Sequence, residues 1–299
     1  MPVAPTPSTA EAATARSRRS MEWPALASTA STSSKAAPTA GRPEGNRSFS
    51  SYPGVVTFPR AAVASLAASF ALALLPGGIA SADALPVPKE RVGDARQVIV
   101  VTAPKWRSTE GTLATYEKRG DTWRVVQQEM RTQLGYGGLV RGDKRHQGTG
   151  TTPTGVYEMV SGFGRKADPG TQLAYTKVDR NDAWPYNPRV PSTYNVFQDV
   201  DRSWKSYGGY VEHLWDMGYQ YDYVAVLDYN LPEGPIRTGA KGVRRSTEPP
   251  DTSRGGGIFL HVDNGNKTAG CIAVKKKAMR EIMQWLDPKK DPVIVIRVD

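Results

Sequence analysis

The stretch Gly255-Gly256-Gly257-Ile258-Phe259-Leu260-His261-Val262-Asp263-Asn264-Gly265-Asn266-Lys267-Thr268-Ala269-Gly270-Cys271-Ile272-Ala273-Val274 sets two apolar runs on either side of a polar, Gly/Asn-rich segment. Short apolar runs flanked by turn residues read as strands, and the polar segment between them reads as the turn of a hairpin. That hairpin places His261, one of three histidines, across from Cys271, the only cysteine of the chain. Alternation along the first run puts Phe259, His261 and Asp263 on one side and Ile258 with Leu260 on the other.

Working outward, the flanking sequence is rich in strands. Gln97–Ala103 is a strong β run closed by Pro104, and 112–118 and 122–128 follow as two strands around Arg119-Gly120-Asp121. Further strands are expected at 156–160, at 223–229 and at 292–298. Between them, residues 161–215 are aromatic and irregular, and Pro185, Pro188 and Pro191 exclude long helices there. Such loops either wall a groove or pack as ordinary cover. After Val274 the period changes: Ala278, Ile282, Trp285 and Leu286 fall on one helical face, predicting a helix over about 276–286. Lys275, Lys276 and Lys277 crowd its N-terminus, where positive charge is disfavoured; they read as a solvated face, the alternative being that they add positive potential beside Cys271. The fold class expected is mostly β: a single antiparallel, sandwich-like domain with a helix near the C-terminus.

The net charge of +10 falls on an ordinary globular composition. Residues 1–84 hold seven Lys/Arg and four Asp/Glu, leaving 32 against 25 in the remainder. A spread excess of this size suits work among anionic polymers. No zinc finger, basic helix or aromatic-glycine motif accompanies it, so no nucleic-acid partner is expected. His146 lies in a basic loop, 142–155, that lacks the signature of a phosphate cradle and reads as solvated.

The N-terminus points to export. Residues 1–54 are rich in Ala, Ser, Thr and Pro and read as a disordered leader. Arg60 then precedes the apolar run 61–75, shorter than the ~20 residues a spanning helix needs. Pro76-Gly77-Gly78 breaks it, and cleavage is expected after Ala82 or Ala84. The signal peptide is assigned to 55–84, with a start at Val55 or Val56 as the explanation for the long leader, and a spacer to 85–96. An extracytoplasmic, cell-wall location follows, without a stable membrane span after processing; an uncleaved anchor is the other reading. In an oxidising compartment a single cysteine is either paired with another molecule, buried and inert, or reactive.

A thiol attacks as thiolate, and an imidazole can take its proton and return it to a leaving group. Gly270 leaves the backbone beside Cys271 uncluttered, so N–H groups there can face a developing oxyanion. One cysteine and three scattered histidines make no tetrahedral metal set, so neither metal nor cofactor is expected. A serine site lacks its Gly-x-Ser-x-Gly elbow. The alternative is structural: His261 capping a turn and Cys271 in the core.

His261 followed by Thr268-Ala269-Gly270-Cys271-Ile272, preceded by Ile258-Phe259-Leu260, resembles the active-site signature of L,D-transpeptidases with a YkuD-type catalytic domain. Thr152-Pro153-Thr154-Gly155-Val156-Tyr157 resembles that family's Thr-Pro-x-Gly-x-Phe segment. The resemblance covers 97–299, essentially the whole mature chain, and is closest to exported actinobacterial members. It implies that Cys271 attacks the third-residue carbonyl of a peptidoglycan tetrapeptide donor, with His261 as base, and expels the terminal D-alanine. The thioester then passes to a diamino-acid side-chain amine, giving a cross-link. Thr268, Gly270 and Asp263 are implied to position the substrate or its oxyanion, and carbapenems to acylate Cys271. The motif departs from the family's in Ala269, where a histidine is usual, in Ala273, where Arg or Asn is usual, and in a shorter His-to-Cys gap. Three alternatives stand beside it: an L,D-carboxypeptidase, a sortase-like transpeptidase built on His213, Cys271 and Arg280, and a non-catalytic peptidoglycan-binding module.

Overall fold

A computed structural model describes residues 84–200 and 204–299. The expected leader 1–54 and the signal peptide at 55–84, apart from Ala84, lie outside the described residues. Fourteen strands and two helices follow in chain order: α1 (Lys89–Val92), β1 (Gln97–Ala103), β2 (Glu110–Arg119), β3 (Thr122–Gln133), β4 (Leu139–Arg141), β5 (Thr152–Gly164), β6 (Tyr175–Lys177) and β7 (Ala183–Pro185). Then come β8 (Val211–His213), β9 (Val224–Leu227), β10 (Ile236–Thr238), β11 (Arg244–Ser246), β12 (Phe259–Val262), β13 (Ile272–Val274), α2 (Lys276–Trp285) and β14 (Val293–Val298). The protein is mostly β, with one substantial helix near its C-terminus.

Ten strands form one sheet, ordered β14-β1-β2-β3-β13-β12-β9-β5-β4, with β6 beside β5. Because β14 also pairs with β5, eight of these strands close into a ring. Antiparallel neighbours predominate, but β1–β14, β12–β13, β4–β5 and β5–β6 are parallel. The β12–β13 pairing overturns the expected hairpin. The segment after β12 does not turn back on itself. Thr268 bonds to both sides of the β3–β4 connection, its N–H to Leu134 O and its carbonyl to the Tyr136 N–H. That detour returns the chain to the starting end of β12, so β13 runs in the same direction, with Leu260 opposite Ile272 and His261 opposite Ala273. Thr132 Oγ1 donates to Ala273 O at 2.8 Å and ties β13 to β3 on its other edge.

Alternation sorts β12 and β13 into two environments. Leu260, Val262, Ile272 and Val274 face the main core, where Met279, Ile282 and Met283 of α2 and Leu286 just after it cover them with no exposed surface. Burial of one such side chain stabilises by ~1.5–3 kcal/mol, which fixes α2 against the sheet despite an N-cap lysine without a capping bond. The crowded lysines do not serve Cys271: Lys276 pairs with Asp222. Phe259 and Cys271 face the other way, into an aromatic core with Phe163, Trp184, Phe197 and Tyr221. The aromatic loops are thus mainly packed cover, with Tyr210 left exposed. Residues assigned to a spacer include α1, and Val87, Val92 and Ala95 are buried against β1.

Candidate active site

Cys271 lies one residue before β13, level with Phe259 on the neighbouring strand, and its sulfur is held by that strand's backbone. The Phe259 N–H donates to Sγ at 3.4 Å, and Sγ–H donates to Gly257 O at 3.3 Å. Gly257 can lie there because its φ of 62° is open to glycine and because a Cβ would meet Tyr186 Oη at 2.4 Å. Its N–H donates to Asn195 Oδ1 at 2.8 Å, and Trp184 Nε1 shares the same acceptor at the same distance. Asn195 therefore sets the backbone that receives the thiol. Nothing in the local sequence marks it, because its partners are spread from Trp184 before it to Asn230 and Gly257 well after it.

The turn into Cys271 is shaped by Thr268. Its Oγ1 donates to Cys271 O at 2.7 Å and accepts from the Gly270 N–H at 3.1 Å. The Gly270 amide is thereby turned inward to Thr268. Gly270 itself has φ 129°, and a Cβ would lie 2.8 Å from Thr151 O and 2.9 Å from Arg145 Nη2. Arg145, only 4% exposed, reaches three backbone carbonyls: Thr151 O and Arg254 O at 2.8 Å, and Ala269 O at 3.4 Å. Its neighbour His146, expected to be solvated, is exposed, whereas the buried guanidinium was not singled out from the sequence. Asp263 closes an Asx turn onto the Gly265 N–H at 2.7 Å.

His261 is 5% exposed and packs edge-on against Tyr221, with ring centroids 5.5 Å apart. Its Nδ1 lies 3.0 Å from Val262 O. A carbonyl can only accept, so Nδ1 carries the proton and Nε2 keeps its lone pair. Burial holds the imidazole down to about 4, well below its ordinary value, so it is neutral at pH 7. Burial, together with the nearby Glu212 carboxylate, pushes the Cys271 thiol up to about 12. A neutral thiol thus sits beside a neutral base. The register puts them on one face of adjacent strands, two residues out of step, or roughly 8 Å between Cα atoms at normal strand spacing. No hydrogen bond joins Sγ to the imidazole in this structure; Sγ is turned to the backbone instead.

The residues of the sortase-like alternative are not gathered at this site. His213 follows Glu212 on β8, so alternation sends its side chain to the opposite face. Arg280 is exposed on α2, on the other side of the sheet from the aromatic core that holds Cys271.

Residues 96–295 match the profile of the YkuD family, the L,D-transpeptidase catalytic domain. This chain belongs to the YkuD family. No curated protein matches it. Among solved structures, the YkuD chain is similar to the helical cell shape determining protein Pgp2 of Campylobacter jejuni, at 17% identity and a TM-score of 0.34, over 69% of this chain and 49% of that one. It is also similar to Bd1075 of Bdellovibrio bacteriovorus, at 15% identity and a TM-score of 0.33, over 68% of this chain and 48% of that one. This YkuD chain spans about half the length of those two structures.

Proposed function

We propose that this YkuD-family protein is an exported L,D-transpeptidase acting on peptidoglycan stem peptides through residues 97–299, with Cys271 as nucleophile and His261 as base. The observation that carries the proposal is the free Nε2 of His261 on the same sheet face as Sγ, its other nitrogen held by Val262 O at 3.0 Å. As a donor tetrapeptide carbonyl approaches, Sγ leaves Gly257 O and attacks the carbonyl carbon, and its proton passes to Nε2. The tetrahedral intermediate collapses to a thioester, and the imidazolium returns the proton to the departing D-alanine amine. A side-chain amine of a second stem then attacks the thioester, loses a proton to His261 and regenerates the thiol. Water in place of that amine gives the carboxypeptidase outcome. Thr268 holds the nucleophile's backbone, and Asp263 shapes the following turn. Ala269 has no imidazole to offer; in its place the buried Arg145 steadies the loop from its carbonyl side.

Incubating the mature protein with a carbapenem and measuring its mass tests the proposal: one adduct is expected, absent in Cys271→Ala. A muropeptide digest with tetrapeptide donor then separates cross-linking from hydrolysis. A wall-binding module is the second reading, favoured by a thiol that is only 8% exposed and raised to about 12. An intact protein that binds peptidoglycan yet forms no adduct would establish that reading instead.

A further inference from the structure

Beside the thiol lies an acidic group that the proposed mechanism does not use. Glu212, the middle residue of β8, pairs with Trp184 across the β7–β8 ladder and sends its side chain into the aromatic core. Tyr221 Oη donates to Glu212 Oε2 at 2.6 Å. The same Tyr221 ring lies edge-on to His261, so one phenol touches both the acid and the candidate base. Tyr186 completes the cluster. Its hydroxyl is buried without a hydrogen-bond partner and lies over Gly257, whose carbonyl receives the Cys271 thiol. The acid is close enough to the sulfur to oppose thiolate formation.

No cation answers this acid. Among the described residues no Lys, Arg or His forms an ion pair with Glu212, whose carboxylate accepts its hydrogen bond from Tyr221 Oη. Arg145, the nearest buried guanidinium to the thiol, is occupied by three carbonyls. A desolvated carboxylate without a countercharge is costly, and it is relieved either by a proton or by an incoming cation. Desolvation raises the Glu212 carboxyl's pKa, consistent with a group that lacks its partner. Tyr221, which bonds the carboxylate, packs with Phe163, Phe259 and Trp184 in one aromatic core, and aromatic faces favour a cation over an anion. Glu212 and Tyr186 are half-buried as residues.

We propose that Glu212, with Tyr221 and Tyr186, forms a subsite beside Cys271 that takes a primary ammonium group of the substrate. The inference rests on the proposed transpeptidase reading for the identity of the substrate, but not for the ligand chemistry. Tyr186 Oη finds its missing partner when the ammonium enters, as acceptor to an N–H. The ammonium also cancels the charge that opposes the thiolate, so the nucleophile is eased only when a cationic substrate is seated. Glu212 acts as a specificity-determining residue: a neutral analogue leaves it unpaired.

The test has two arms. In the first, calorimetric titration compares Nα-acetyl-lysine amide with its Nε-acetylated analogue, which lacks the charge. The full-length protein is expected to bind the cationic ligand at least tenfold more tightly, Glu212→Gln to bind both alike, and Tyr186→Phe to lose part of the preference. Equal binding of the two ligands by the unmodified protein, or a preference that survives Glu212→Gln, overturns the proposal. Tyr186→Phe removes only an unpaired hydroxyl, so it keeps the test open if Glu212→Gln does not fold. In the second arm, donor peptides with a free and an acetylated side-chain amine are compared for turnover. The discrimination is expected in KM and to vanish in Glu212→Gln. Ammonium selectivity in titration without turnover of either peptide upholds the subsite and sinks the transpeptidase reading; turnover without selectivity does the reverse.

Discussion

Arg145 caps the carbonyl of Ala269, two residues before the cysteine, with a guanidinium that is buried and bound at the same time to Thr151 O and Arg254 O. One side chain thereby fastens together the β4–β5 loop, the approach to Gly255 and the turn that presents the thiol. Arg145→Met leaves three acceptors without this donor, at a cost of about 1–3 kcal/mol each if they stay dry. Urea denaturation is expected to show a loss of several kcal/mol. Arg145→Lys is expected to recover only part of it, since an ammonium lacks the planar fork. Full stability in the methionine variant would remove Arg145 from this role.

Thr268 is expected to matter through its hydroxyl alone. Thr268→Val keeps the shape but removes the bonds to Cys271 O and the Gly270 N–H, while Thr268→Ser keeps both. Carbapenem acylation should fall at least tenfold in the valine variant and stay within about threefold in the serine variant, a 1.4 kcal/mol change being tenfold. Equal rates in the two would show that the turn does not depend on Thr268 Oγ1.

The depressed His261 sets a pH dependence of stability. Between about 4, its folded value, and its ordinary 6.5, the unfolded chain binds a proton that the folded chain does not. Stability therefore rises with pH across that window, is complete above it, and falls by up to about 3 kcal/mol as pH drops through it. Denaturation midpoints at pH 4.5 and 7 are expected to differ by less in His261→Gln, which cannot titrate. The same dependence in the variant would place its origin in other groups.

The raised thiol works in the opposite direction. Cys271 is protonated in the fold up to about 12, against 9 ordinarily, so its contribution to stability is complete below pH 9 and is lost as pH rises toward 12. At pH 8 iodoacetamide should alkylate the native protein at least a hundredfold more slowly than the urea-unfolded chain, because only the thiolate reacts. Equal rates would mean that the sulfur is neither buried nor opposed by Glu212.

Local periodicity carried a large part of the fold. β1 was readable because both faces of Val98–Val101 are buried, and α2 because Ile282 and Leu286 of the expected face are fully buried, with Ala278 and Trp285 partly so; Met279 and Met283, which that face did not include, fill the core beside them. The placement of Phe259 away from Leu260 on β12 followed from alternation. The hairpin reading failed because two apolar runs with a Gly/Asn segment between them look alike whichever way the second run points. Direction was decided by Thr268 bonding to Leu134 and Tyr136, over a hundred residues away in sequence. For the same reason Arg145, Asn195 and Glu212 were invisible. Each is a polar residue whose burial comes from distant elements closing over it, and no local pattern records that. His261 and Cys271 were singled out as candidates by rarity and spacing.

The parallel partnership of β1 with β14 joins segments almost two hundred residues apart, Val98 beside Val293. Joining chain ends that distant costs roughly 5 kcal/mol of loop entropy before any contact is gained. A ribosome releases β1 well before β14, so the ring of strands has a gap until β14 has emerged. The first strand must wait for the last. Premature closure around a partial chain is thereby prevented, and a chain truncated before Val293 is expected to stay open and protease-sensitive rather than fold into a smaller version of itself.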